Sequence, residues 1–139
     1  MSDVVSKVLY MHEEDYEAIQ NFSAKFGVKV DDLLVECFRS KLESFGPAKN
    51  SFNLDFLEKG GPAMGLIESK LEPSGSFVSL PIQISKDDDT NIRCASAFFG
   101  ECYDFILLMS FLDKLQQEDT EAYAQREAKA QARNAQSEQ

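Results

Sequence analysis

Along the first forty-five residues the spacing of apolar positions changes period once, and the change marks two kinds of element. Ser6-Lys7-Val8-Leu9-Tyr10-Met11 is aliphatic and aromatic, without Gly or Pro, and predicts a strand. From His12 to Phe26, Tyr16, Ile19, Phe22 and Phe26 recur at helical spacing. Glu13, Glu14 and Asp15 fall in the first turn, where the helix dipole favours negative charge. Gly27 stands where a helix closes in a left-handed residue. Asp31 then opens a second helix whose stripe runs through Val30, Leu34, Cys37, Phe38, Leu42 and Phe45 until Gly46-Pro47 stops it. A unit this small cannot bury two helical stripes and a strand alone, so it predicts a partner chain.

The pattern is looser further on. Residues 47–62 hold Pro47, Asn50, Gly60, Gly61 and Pro62 and predict a loop-rich connection, partly packed through Phe52, Leu54, Phe56 and Leu57. Met64 to Glu72 predicts a strand, and Glu72-Pro73-Ser74-Gly75 a turn. Ser76 to Ser85 alternates clearly, with Val78, Leu80, Ile82 and Ile84 on one face. Pro81 lacks an amide donor and makes this an edge or bulged strand. Lys86-Asp87-Asp88-Asp89-Thr90 reads as a solvated hairpin loop, since calcium loops need alternating ligands and a Gly at a fixed offset. Asn91 to Phe99 fits a third strand, although Ile92, Ala95, Phe98 and Phe99 also fit the start of a helix; Gly100 inclines the choice to strand. Glu101 to Gln117 carries a wide apolar stripe and predicts a long helix. From Glu118 the chain turns to Ala, Gln, Glu, Lys and Arg, predicting a polar helix that frays into a tail bearing Arg126, Lys129 and Arg133. No internal repeat or heptad series is expected.

The first third of the chain resembles the ribbon-helix-helix family, the Arc/MetJ-type repressors. The resemblance covers residues 4–46 and rests on the frame Met11, Tyr16, Ile19, Phe22, Gly27, Val30, Leu34, Phe38 and Leu42. It implies a homodimer whose strands pair as an antiparallel ribbon in the DNA major groove, with Leu9, Met11, Ile19, Phe22, Leu34, Phe38 and Leu42 in the dimer core. Ser6, Val8 and Tyr10 would occupy the base-facing positions, and Lys7, Lys25, Lys29 and Arg39 are candidates for phosphate contact. The fold expected for the whole chain is α+β: an N-terminal ribbon-helix-helix dimerisation unit, then a small antiparallel β-meander with one long C-terminal helix.

Charge complicates that picture. The chain has formal net charge −10, and residues 1–46 hold five Lys/Arg against nine Asp/Glu. Non-specific DNA affinity comes mainly from cations that displace counterions at phosphates. Lys29-Val30-Asp31-Asp32 sets one cation beside two carboxylates where a phosphate would sit, and Val8 offers a base only methyl contact. Two functions therefore stand side by side. One is a small intracellular regulatory protein, a DNA-binding repressor or accessory factor. The other is an acidic protein-interaction module, antitoxin-like or of the phage inhibitor kind, that engages a basic partner.

Catalytic chemistry is not indicated. His12, the single histidine, has no nucleophile or orienting acid at a recognisable spacing, and Gly60-Gly61-Pro62 lacks the Lys-Ser/Thr of a phosphate loop. The reading is of a non-enzyme without metal or cofactor. Cys37, Cys94 and Cys102 sit in apolar surroundings and read as reduced core residues of a cytoplasmic protein. The longest apolar run, Phe105 to Met109, is far too short to span a bilayer.

Overall fold

The computed structural model describes residues 3–47 and 77–137. Its elements run β1 (Val4–His12), α1 (Glu13–Phe26), α2 (Val30–Glu43), β2 (Phe77–Ser85), α3 (Lys86–Phe99), α4 (Tyr103–Glu118) and α5 (Thr120–Ser137). The order contains the same strand–helix–helix unit twice. Adding 73 to a residue number in the first unit gives its counterpart in the second, as Gly27 and Gly100 show. Identical residues recur at that offset, among them Ser6/Ser79, Asp15/Asp88, Ser23/Ser96, Asp31/Asp104, Phe38/Phe111 and Leu42/Leu115.

The two strands form one antiparallel ribbon, with Val8 opposite Pro81 at its centre and a register unbroken from Val4–Ser85 to His12–Phe77. Val8 and Pro81 are themselves counterparts, so the ribbon is centred on an approximate twofold axis. Strand pairing, for which the first unit appeared to need a second copy, is thus made within the chain. Pro81 costs the ladder nothing. The amides of Tyr10 and Gln83 are turned outward to side chains, so every second pair, Val8–Pro81 included, is of the non-hydrogen-bonded kind.

The inward face of the ribbon presents Leu9, Met11, Leu80, Ile82 and Ile84, all buried, to the helices. α2 packs along α4, and Ile19, Leu34, Phe38, Ile92, Leu107 and Phe111 fill the space between the two units. Phe22 meets Phe111 edge to face at 5.8 Å between ring centroids, an arrangement that aromatic quadrupoles favour.

The second half corrects the sequence reading. Residues 77–118 are not a meander followed by a helix. The segment 91–99, read as strand, belongs to α3, and the supposed hairpin loop 86–90 is its first turn. Ser85 caps that helix, its hydroxyl oxygen accepting from the Asp88 amide at 3.1 Å, while the Asp88 carboxylate accepts from the Ser85 hydroxyl at 2.8 Å. Asp87, Asp88 and Asp89 stabilise the positive end of the helix instead of decorating a loop. Gly100, at φ +68°, closes α3 in the left-handed conformation just as Gly27, at +65°, closes α1. The internal repeat was also missed, because most of its positions keep only polarity or size. The tail is helical and docked: α5 lies on α1 and α4. The expected strand 64–72, its turn and the linker 47–62 apart from Pro47 lie outside the described residues. No single described helix is long and apolar enough to cross a membrane.

Candidate functional site

Alternation along the ribbon decides what it shows to the outside. Ser6, Val8 and Tyr10 on β1, and Ser79, Pro81 and Gln83 on β2, share the face turned away from the helices. Val8 is 50% exposed at its centre. Cross-strand pairing sets Ser6 against Gln83 and Tyr10 against Ser79. The six central positions therefore hold hydroxyls, one amide and apolar groups, and no charge. Ser79, Pro81 and Gln83 escaped the sequence reading. Their signal was the repeat, since each lies 73 residues beyond Ser6, Val8 or Tyr10.

Each edge of the ribbon meets the start of a second helix. Asp31, in the first turn of α2, accepts from the Gln83 amide at 3.1 Å, and Asp104, in the first turn of α4, accepts from the Tyr10 amide at 2.9 Å. These contacts are counterparts under the repeat. A carboxylate thus stands at the positive end of both helices, where free amides would otherwise receive an anion. Asp32 adds a further exposed carboxylate beside Asp31.

Three of the four cations proposed for phosphate contact are engaged inside the fold. Lys7 points to the inner side, 3.6 Å from the Asp89 carboxylate and 5.0 Å above the Tyr103 ring. Lys25 pairs with Asp119 at 2.7 Å. Arg39 holds Asp88 through two bonds of 3.1 and 2.8 Å. Burial alone would raise the Asp88 carboxyl, but the bonds from Arg39 and Ser85 carry it below the usual carboxylate range. Lys29 caps α2, is exposed, and makes no ion pair among the described residues. The seven residues proposed as dimer core are placed between the two units, with Leu9, Met11, Ile19, Phe22, Leu34 and Phe38 buried and Leu42 packed at the margin.

The tail cations are likewise taken up. Arg126 donates to Asp15 at 2.6 Å, Lys129 to Glu17 at 2.9 Å, and Arg133 to Glu14, all on α1. Next to this cluster the His12 ring lies against that of Phe77, tilted by 42° with centroids 4.6 Å apart, its Nδ1 buried without a hydrogen-bond partner among the described residues. Burial, then the neighbouring Arg133 and Arg126, lower its pKa from 6.5 against the opposing pull of Glu14 and Asp15.

A second feature lies between the C-terminal halves of α2 and α4. A cleft of about 300 Å³ is lined there by four pairs of counterparts: Cys37 with Ser110, Ser40 with Asp113, Lys41 with Lys114, and Ser44 with Gln117. It therefore sits on the approximate twofold axis. Comparison of the chain with protein-family models, with curated proteins and with solved structures finds no match.

Proposed function

We propose that this protein is an acidic interaction module, built as a single-chain counterpart of a ribbon-helix-helix dimer, that recognises a basic protein surface and does not bind DNA. The doubled strand–helix–helix unit, its antiparallel ribbon and the packing of α2 on α4 support the resemblance. The observation that carries the choice of partner is the pair Asp31 and Asp104. Both helix starts that would clamp phosphates in that family already hold a carboxylate, fixed to the ribbon edge. Lys7, Lys25, Arg39, Arg126, Lys129 and Arg133 are each paired with a carboxylate of the same chain, which weakens their pull on counterions at phosphates. Three free cysteines suit a reducing cytoplasm.

The test is a fluorescence-anisotropy titration against mixed-sequence duplex at low and moderate salt. The expected result is no saturable binding by the native protein. The double variant Asp31→Asn, Asp104→Asn should gain weak, salt-sensitive affinity as its helix starts are freed. Saturable, salt-sensitive binding by the native protein would overturn the proposal. It would favour the second reading, a DNA-binding regulator, for which Ser6–Gln83 and Tyr10–Ser79 offer the hydrogen-bonding groups that read base edges.

A further inference from the structure

We infer that the cleft on the twofold axis between α2 and α4 binds one small organic anion, a carboxylate or phosphate monoester, held by Lys114 and Lys41. The inference is independent of what the ribbon recognises. Lys41 has structural duties: it pairs with Asp113 across the cleft and lies in the last turn of α2, where a cation offsets the helix dipole. Lys114 has neither duty. It is half-buried, makes no ion pair among the described residues, and lies more than a turn short of the end of α4.

The cleft holds two ammonium groups against one carboxylate, a local excess of positive charge in a chain of net charge −10. Its floor adds no competing negative charge, because burial pushes the Cys37 thiol up to about 11 and keeps it protonated at neutral pH. The Ser110 hydroxyl is spent on the Ile106 carbonyl and that of Ser44 on the Lys41 carbonyl. Ser40 and Gln117 have no hydrogen-bond partner among the described residues and complete a set of donors around Lys114. A space of about 300 Å³ is at the small end of ligand sites, which fits a compact anion.

The experiment is calorimetric titration of the full chain with inorganic phosphate and with malonate, using sodium chloride at matched ionic strength as the control. One of the two anions should bind saturably at one per chain while chloride does not. Lys114→Gln should weaken that binding about tenfold, the loss of one charge-assisted bond. Lys29→Gln, altered at the opposite end of α2, should leave it unchanged. Because Lys114 makes no ion pair among the described residues, the thermal midpoint of the variant should match that of the native protein. No saturable binding of either anion would overturn the inference, and so would equal affinity of Lys114→Gln and the native chain, or equal loss in both variants.

Discussion

Asp15 and Asp88 are counterparts, and each is buried near the start of the first helix of its unit, yet their partners differ. Asp88 takes Arg39 from α2; Asp15 takes Arg126 from α5. Burial dominates at Asp15 and raises its carboxyl, whereas bonds from Arg39 and Ser85 outweigh burial at Asp88 and lower it. A lowered folded pKa stabilises the protein above the unfolded value of 3.8, and that contribution is lost as pH falls through the folded pKa. Asp88→Asn should therefore flatten the acid limb of the stability curve below pH 4, measured by urea titration across pH. His12 acts in the same direction, at higher pH. Its lowered pKa means the unfolded chain takes up the proton first, so stability falls as pH drops through 6.5. His12→Gln should remove that step. Gly100→Ala should cost about 1 kcal/mol: open space surrounds the added carbon, and the strain comes from the left-handed backbone alone.

The helices divide the work unequally. α2 and α4 bury Phe38 and Phe111 completely, at matching positions of the two units. Truncation of either to Ala should cost about 3 kcal/mol through lost burial and an unfilled cavity, and the two losses should be alike within a kcal/mol in chemical denaturation. α5 has no counterpart among the described elements and is tied to α1 by three ion pairs. The double variant Arg126→Ala, Arg133→Ala should lose hydrogen-exchange protection over 120–135 while α2 and α4 keep theirs. Loss of protection throughout would show instead that α5 is part of the cooperative core. The start of α3 was readable from sequence. Ser85 followed by Asp88 is a capping pair, and Asp87, Asp88 and Asp89 give α3 the same acidic first turn that Glu13, Glu14 and Asp15 give α1. The local alternation of β2 and the neighbouring run of aspartates suggested a hairpin and obscured it.

At the scale of the molecule, the chain completes in cis the ribbon that a one-unit protein would form with a second copy. Sedimentation equilibrium should therefore find a monomer at micromolar concentration. The two halves are alike in frame and unlike in their inner polar contacts. Lys7 on the inner face has Leu80 as its counterpart, and Tyr16 has Asp89, so Lys7, Asp89 and Tyr103 form a polar inclusion on one side of the axis only.

The sequence by itself determined the order and type of the first three elements, with their ends placed within about two residues. A strand, two helices and the closing Gly27 follow from local periodicity and caps, which depend on neighbours a few residues apart. It also determined the acidity that weighs against DNA, and the outward placement of Ser6, Val8 and Tyr10, which strand alternation alone dictates. Only the tertiary structure decided which strand β1 pairs with, because the choice between a second copy and β2 depends on residues more than seventy positions away. Only it showed that Asp31 and Asp104 turn to the ribbon edges, and that the cations of α1, α2 and α5 are spent internally. It also brought Lys41 and Lys114 to one cleft. Each of these is set by the free energy of long-range packing and pairing, which local periodicity does not record; its one trace is the 73-residue repeat, kept at most positions only as polarity or size.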